Sequence, residues 1–285
     1  MLIKSQHTIP YCPFTPLYKL RFVHSLLLLF SYFAFFFVLN LKEKRMISNS
    51  VRRILDFLGI APVKVPEAEI VDIDSLSPSI KRIRLKGQFE KLQFTSGSYV
   101  SFKLNYTQTR KYTVSSLDKA KGCLEFIVYL HKQKGSGQAF MNQLTIGDKI
   151  SMNSLRSNSN YLDLPSTKFV FFGDETSLGL GLSLYQKWKQ MNSEFLFLFE
   201  LDEENKHIPE QLGFEHAVVY AKNKVFRNER TIGQLAPIES IQWKDAIFLL
   251  TGNAKSIQIF RKVIKDKTTS KVYTRGYWIE GIEGL

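Results

Sequence analysis

Cysteine is nearly absent: Cys12 and Cys123 are the only two in 285 residues. Their separation excludes a disulfide framework and any thiolate metal cluster, and it fits a reducing compartment. Cys123 follows Gly122 in a turn and reads as structural. Acidic residues fall short of basic ones, 26 against 39, so the chain carries +13 at pH 7. Lys4, Lys19, Arg21, Lys42, Lys44 and Arg45 against Glu43 place five of those charges in the first 45 residues. The basic body that remains attracts anionic ligands, although a solvated basic surface serving solubility accounts for most of the same lysines equally well. Internal repeats and low-complexity tracts are missing outside one N-terminal apolar run, and nucleic acid is not an expected partner.

That run, Phe22 to Leu41, is long enough to cross a bilayer as a helix of about 20 residues. Lys42, Lys44, Arg45, Arg52 and Arg53 outweigh Lys19 and Arg21 on the other flank, which would keep the body on the cytoplasmic side. No small-residue cleavage site follows it, so a secretory signal is the poorer reading. A third reading takes Met46 as the true start and residues 1–45 as an over-extension, and this is the reading favoured over an anchor. Ser48 or Ser50 would then cap a short amphipathic helix carrying Val51, Ile54, Leu55 and Leu58 on one face. Residues 61–66, with two prolines and no periodicity, read as a linker. The expected location is cytoplasmic, with the inner membrane as the alternative.

Beyond the linker the rhythm is that of strands. Glu67–Leu76, Ile80–Leu85, Ser98–Leu104, Lys111–Leu117, Leu124–Leu130 and Lys149–Met152 are short β-branched or aromatic stretches punctuated by Gly, Asn, Asp and Lys. With one helix at Ser136–Leu144 they predict a small antiparallel β-barrel over 67–161. From 162 onward the pattern changes. Phe169–Phe172, Phe195–Leu201, Ala217–Tyr220 and Ile247–Leu250 are continuous apolar runs, as in strands buried on both faces. Helical stretches at Leu178–Met191, around Ile232–Leu235 and at Ala254–Lys265 lie between them. The fold class expected is therefore β plus α/β: a barrel, then a doubly wound parallel-sheet domain, with the boundary at Leu162–Thr167.

Arg110-Lys111-Tyr112-Thr113 puts a planar cation, a flat ring and a hydroxyl on one extended stretch. Those groups suit a flavin dinucleotide: the cation for pyrophosphate, the ring for the isoalloxazine face, the hydroxyl near its redox nitrogen. Alone, the pattern is also that of an ordinary strand edge. His131, Gly147-Asp148, Gly173-Asp174-Glu175-Thr176-Ser177-Leu178 and Arg275-Gly276-Tyr277-Trp278 follow it in order. Together these motifs resemble the siderophore-interacting protein family, flavin-dependent ferric-siderophore reductases related to the ferredoxin–NADP reductases. The resemblance runs from about Glu67 to the C-terminus.

The resemblance implies FAD and NADPH or NADH as cofactors, and a ferric siderophore as the acceptor that releases Fe(II). Ferredoxin is an alternative donor, the protein a monomer, and no protein-bound metal is expected. Tyr112 and Thr113 would work at the flavin's reactive face, with Arg110, His131, Ser136 and Gly137 around it. Small residues at a helix start let backbone N–H groups approach pyrophosphate. Here Gly135-Ser-Gly-Gln-Ala139 departs from the family's Gly-Pro-Ala turn. Asp174 and Thr176 would shape the nicotinamide or substrate end of the cleft, although two acids where dinucleotide sites carry glycines repel phosphate, and Asp174 equally reads as a helix cap. Gly179 and Gly181 replace the family's Pro-Ala, which predicts a looser helix start. Lys222 and Lys224, with Arg227 nearby, are candidates for an NADPH 2′-phosphate; Asp202, Glu203 and Glu204 favour a ribose diol and hence NADH. Gly252-Asn253 stands where the family often has Gly-Glu. Trp278, with Tyr277, would cover the flavin from the nicotinamide side. Lys103, Lys132, Lys134 and Arg275 are candidates for drawing in the anionic chelate. Two other readings stay open: a membrane-anchored flavin reductase arm serving a protein partner, and a non-catalytic binding module on the same fold.

Overall fold

The computed structural model describes residues 67–104, 108–131, 135–152, 155–157, 164 and 166–281. The apolar run, the short helix and the linker expected in residues 1–66, and Lys132 and Lys134, lie outside the described residues. Among the described residues, no helix is long and apolar enough to cross a membrane.

Among the described residues, the first part is an antiparallel barrel of seven strands: β1 (Ala68–Ser77), β2 (Ile80–Lys86), β3 (Tyr99–Lys103), β4 (Thr109–Thr113), β5 (Ser116–Asp118), β6 (Cys123–Tyr129) and β7 (Lys149–Ile150). Five of them form one sheet in the order β5-β6-β2-β1-β7, and β3 pairs with β4 in a second. Alternation along β2 and β6 sends Ile83, Leu85, Leu124, Phe126 and Val128 inward, where they meet Val100, Phe102 and Met141. Each such fully buried side chain contributes about 1.5–3 kcal/mol. The stretch expected as a single strand, Lys111–Leu117, is two. At Val114 and Ser115 the chain turns from β3 to β6: Val114 N–H bonds Ser98, and Ser115 N–H bonds Glu125. The Ser115 hydroxyl then accepts from Ile127 N–H at 3.1 Å, so the buried corner keeps its polar groups paired. Helix α1 (Ser136–Gln143) closes the barrel through Met141.

The second part is a parallel sheet ordered β10-β9-β8-β11-β12, from β8 (Lys168–Gly173), β9 (Glu194–Leu201), β10 (Ala217–Ala221), β11 (Ile247–Asn253) and β12 (Val272–Trp278). Successive residues of one strand serve opposite faces. Phe171, Phe197 and Phe199 pack under helix α2 (Leu178–Gln190), whereas Phe172, Leu198 and Phe248 pack with Phe260 of helix α3 (Ala254–Lys267). The α2 side also takes in Leu76, Ile80 and Ile127 of the barrel, so that apolar layer joins the two sheets.

Gly179 and Gly181 do not loosen α2. A Cβ at Gly179 would lie 3.0 Å from Ser115 Oγ and 3.6 Å from the Thr113 carbonyl. At Gly181 it would lie 3.3 Å from Phe214 and 3.4 Å from Phe171 and Phe199. Both glycines let the helix approach closely, one toward the barrel and one toward the sheet.

Candidate functional site

One cluster forms where β4 meets the start of α1. A Cβ at Gly137 would stand 3.3 Å from Tyr112 Oη and 3.6 Å from Arg110 Cγ, so the cation, the phenol and the helix start converge. Gly135 begins α1 with no side-chain cap, and Ser136 and Gly137 follow at the first turn, leaving backbone N–H groups for an anion. Tyr112 packs on Phe102 at 5.2 Å between ring centroids, which fixes its plane. Burial pushes its phenol up to about 12, with Arg110 pulling the other way, so it is a donor across the physiological range. Thr113 joins this stretch to the second part of the fold through its carbonyl beside Gly179.

A second cluster lies at the carboxyl ends of the parallel strands. Asp174 follows β8 and is buried; its Oδ1 accepts from Thr176 N–H at 2.9 Å, and its Oδ2 from Trp278 Nε1–H at 2.6 Å. Asp174 thus caps the turn before α2 and also holds Trp278. His131 stands edge-on to Trp278 at 5.5 Å and to Tyr129 at 4.7 Å. Lys222 Nζ sits 2.6 Å from Glu175 Oε2 and 3.6 Å from Asp202 Oδ2, with its side chain only 12% exposed and that of Glu175 fully buried. The same ammonium lies over the rings of Tyr129 at 5.1 Å and Trp278 at 5.6 Å. Burial works against the Lys222 charge, but Glu175, Asp174 and Asp202 outweigh it and hold the ammonium above its ordinary value. Burial pushes the carboxyls of Asp174 and Glu175 up.

The expected residues therefore fall into two groups. Arg110, Tyr112, Ser136 and Gly137 belong to the first; His131, Asp174, Thr176, Lys222 and Trp278 belong to the second. Thr113 links the barrel to α2, and Lys224 is exposed, outside both groups. Lys222 is inside the fold, engaged by carboxylates, where the sequence had put a surface phosphate contact. Asp202 is likewise engaged, accepting from Tyr129 Oη–H at 3.4 Å. Tyr129 was not foreseen; its period-two relation to His131 at the end of β6 was the available signal. Buried Asn205, which bonds Ser77 at 2.7 Å and Ser79 at 3.1 Å across the two sheets, had none.

His131 is expected to titrate below the ordinary imidazole value of 6.5, because burial and then the neighbouring Lys222 disfavour its cation while Glu175 opposes them only in part. With a folded value below the unfolded one, His131 costs no stability above pH 6.5 and erodes it as the pH falls toward the folded value. NMR titration of the His131 ring checks this; a midpoint at or above 6.5 contradicts it.

A third feature is an aromatic and cationic edge. Lys111 Nζ and the Arg275 guanidinium each lie 5.6 Å from the Tyr99 ring, and Arg275 is also 5.5 Å from Tyr277. It joins β3 and β4 of the barrel to β12 of the parallel sheet. Lys103 is exposed at the end of β3. Gly147-Asp148 makes the turn into β7, with Gly147 at a φ of +95°. Among the described residues, no group of three or more His, Cys, Asp and Glu side chains is arranged to hold a metal ion.

The barrel followed by a parallel five-stranded sheet is the two-part architecture of the ferredoxin–NADP reductase-like flavoproteins. Residues 67–161 match the protein family described as Oxidoreductase FAD-binding domain. No curated protein matches the chain. Among solved structures, the siderophore-interacting protein of Acinetobacter baumannii is similar at 19% identity and a TM-score of 0.62, over 76% of this chain and 92% of that one. The siderophore-interacting protein of Aeromonas hydrophila is similar at 15% identity and a TM-score of 0.61, over 77% and 93%. Ferredoxin–NADP+ reductase of Plasmodium falciparum follows at 14% and 0.55, over 74% and 95%. At these identities the likeness establishes the fold.

The first cluster fits FAD: an arginine fork, a ring and an uncapped glycine-bearing helix start meet where a side chain larger than glycine would intrude. For a nicotinamide dinucleotide the fit is partial. The switch point of the sheet lies between β8 and β11. There a Cβ at Gly252, whose φ is +101°, would lie 2.6 Å from Asp174 Cγ, so Asp174 fills the floor of the crevice. Lys224 is exposed and Arg227 half-buried in the turn after β10.

Proposed function

We propose that this chain is a flavin-dependent reductase that passes electrons from NAD(P)H to the iron of an anionic ferric siderophore. The observation carrying the reading is the Arg110, Tyr112 and Gly137 cradle on a barrel that matches an FAD-binding oxidoreductase domain. When bound, FAD supplies the conversion between a two-electron donor and a one-electron acceptor. The residues of the chain do the rest. Arg110 and the N–H groups of Ser136 and Gly137 hold the pyrophosphate, and Tyr112 and Thr113 bound the reactive face. His131 and Trp278, locked by Asp174, wall the side facing the parallel sheet and exclude water there.

The edge made by Arg275, Lys111, Tyr99 and Tyr277 supplies charge and flat apolar surface, which suits an anionic chelate carrying aromatic groups. Such a substrate needs positioning and no covalent contact, and Fe(II) leaves because it is held more weakly than Fe(III). Arg275→Gln is expected to raise the KM for a ferric catecholate chelate by about tenfold, the scale of one cation contact, with kcat nearly unchanged. Steady-state assays with an Fe(II)-trapping dye check this. An unchanged KM with full turnover would place the substrate elsewhere, and no Fe(II) from the parent chain would remove the reading.

A further inference from the structure

On one side the parallel sheet ends at β10, whose one strand neighbour among the described residues is β9. Its sequence, Ala217-Val-Val-Tyr-Ala221, holds no charge, proline or glycine. The register fixes which backbone groups are left over. Phe197 N–H donates to the His216 carbonyl and Lys222 N–H to the Leu201 carbonyl, with Ala217 opposite Phe197 and Ala221 opposite Leu201. In a parallel ladder this engages Val218 and Tyr220 with β9 and points the N–H and C=O groups of Ala217, Val219 and Ala221 outward. No hydrogen bond from the described residues reaches those outward groups.

An open edge is a template for a further strand, and proteins guard such edges with charge, brevity or a bulge. The other edges here are guarded. β5 and β7 are three and two residues long. β4 carries Arg110 and Lys111, and β12 carries Arg275 and Gly276 with an irregular register at Asn253 and Trp278. At β10 no such device is present, and Val218 is 41% exposed. His216 and Asn223, at φ of +55° and +59°, turn the chain away at either end and leave a clean edge of five residues.

We propose that β10 is a dimer edge, pairing antiparallel with β10 of a second copy about a two-fold axis at Val219. The outward groups select this register. It sets Val219 against the partner's Val219, and Ala217 against the partner's Ala221, each pair exchanging both hydrogen bonds. The side chains agree with it. Tyr220 packs on the α3 side of the sheet, and Val218 faces the same way. The register lays exposed Val218 against the partner's Tyr220, a β-branched residue beside an aromatic one. The ends carry opposite charge: Glu215 precedes β10 and exposed Lys224 follows it, so antiparallel pairing brings acid and base of the two copies to the same end. A second copy meets all three conditions by symmetry. So short an edge makes a small interface, and a Kd of about 10 μM is expected. The monomer implied by the resemblance is then the dilute form. The proposal stands whether or not the chain is a reductase.

Sedimentation equilibrium of the full-length chain from about 1 to 200 μM spans the expected Kd and tests the dimer. The parent should pass from monomer to dimer. Val218→Lys changes an exposed position and should weaken association by about tenfold or more, since a two-fold axis counts each substitution twice. Val219→Cys tests the register: oxidation should join two copies across the axis, beyond any linkage through Cys12 or Cys123 in the parent. Val218→Cys, facing the partner's Tyr220, should not cross-link. A parent that stays monomeric throughout overturns the proposal. So does a Val218→Lys chain that associates like the parent, or equal cross-linking in the two cysteine variants.

Discussion

Arg110→Ala is expected to lower the affinity for FAD about a hundredfold. A charge-assisted contact from a guanidinium is worth about 3 kcal/mol where the alternative is an uncompensated phosphate, and each 1.4 kcal/mol is a factor of about ten. The fold should tolerate the change, because the side chain is partly exposed and donates only to the neighbouring Thr109 carbonyl among its described hydrogen bonds. Tyr112→Phe separates the ring from the hydroxyl: stacking survives, and affinity should change by much less. Fluorescence titration of the flavin-free chains with FAD measures both. Arg110→Ala chains that bind FAD as tightly as the parent would remove Arg110 from the site.

Lys222→Met should be strongly destabilising. It strands the Glu175 carboxylate, which is fully buried, beside buried Asp174. Breaking a buried pair from one side costs about 3–5 kcal/mol. At about 2–4 °C per kcal/mol for a body of this size, Tm should fall by on the order of 10 °C. Glu175→Gln added to Lys222→Met removes the stranded charge and should restore most of the loss. Since Lys222 is held above its ordinary 10.5, its share of stability is complete below that pH and is lost as the pH rises through the higher folded value. An unchanged Tm in Lys222→Met would show that the pair contributes nothing.

The two-part fold was legible because burial leaves a mark on local sequence. Phe169–Phe172 and Ile247–Leu250 are apolar without alternation because α2 and α3 cover both faces of the sheet. The break at Val114–Ser115 left no mark: both residues suit a strand, and only the transfer of hydrogen bonds from β3 to β6 divides it. The convergence of Arg110, Tyr112 and Gly137, proposed here as a flavin cradle, was legible for a different reason, since a local strand and a helix start set it. The charged residues were not. Lys222 and Glu175 are 47 positions apart, and Arg227 and Glu280 are 53 apart. A lysine in a loop reads the same in sequence whether it faces solvent, a phosphate or a buried acid. Only the way the turns after the strands fold back over the sheet edge decides which.

The most direct test of the account is the visible spectrum of the purified full-length chain, taken before and after anaerobic NADPH or NADH and again after a ferric siderophore. The account predicts a yellow protein whose colour bleaches with nicotinamide and returns as the chelate is reduced. A folded, colourless chain that takes up no added FAD would contradict it and leave a binding module on a reductase fold.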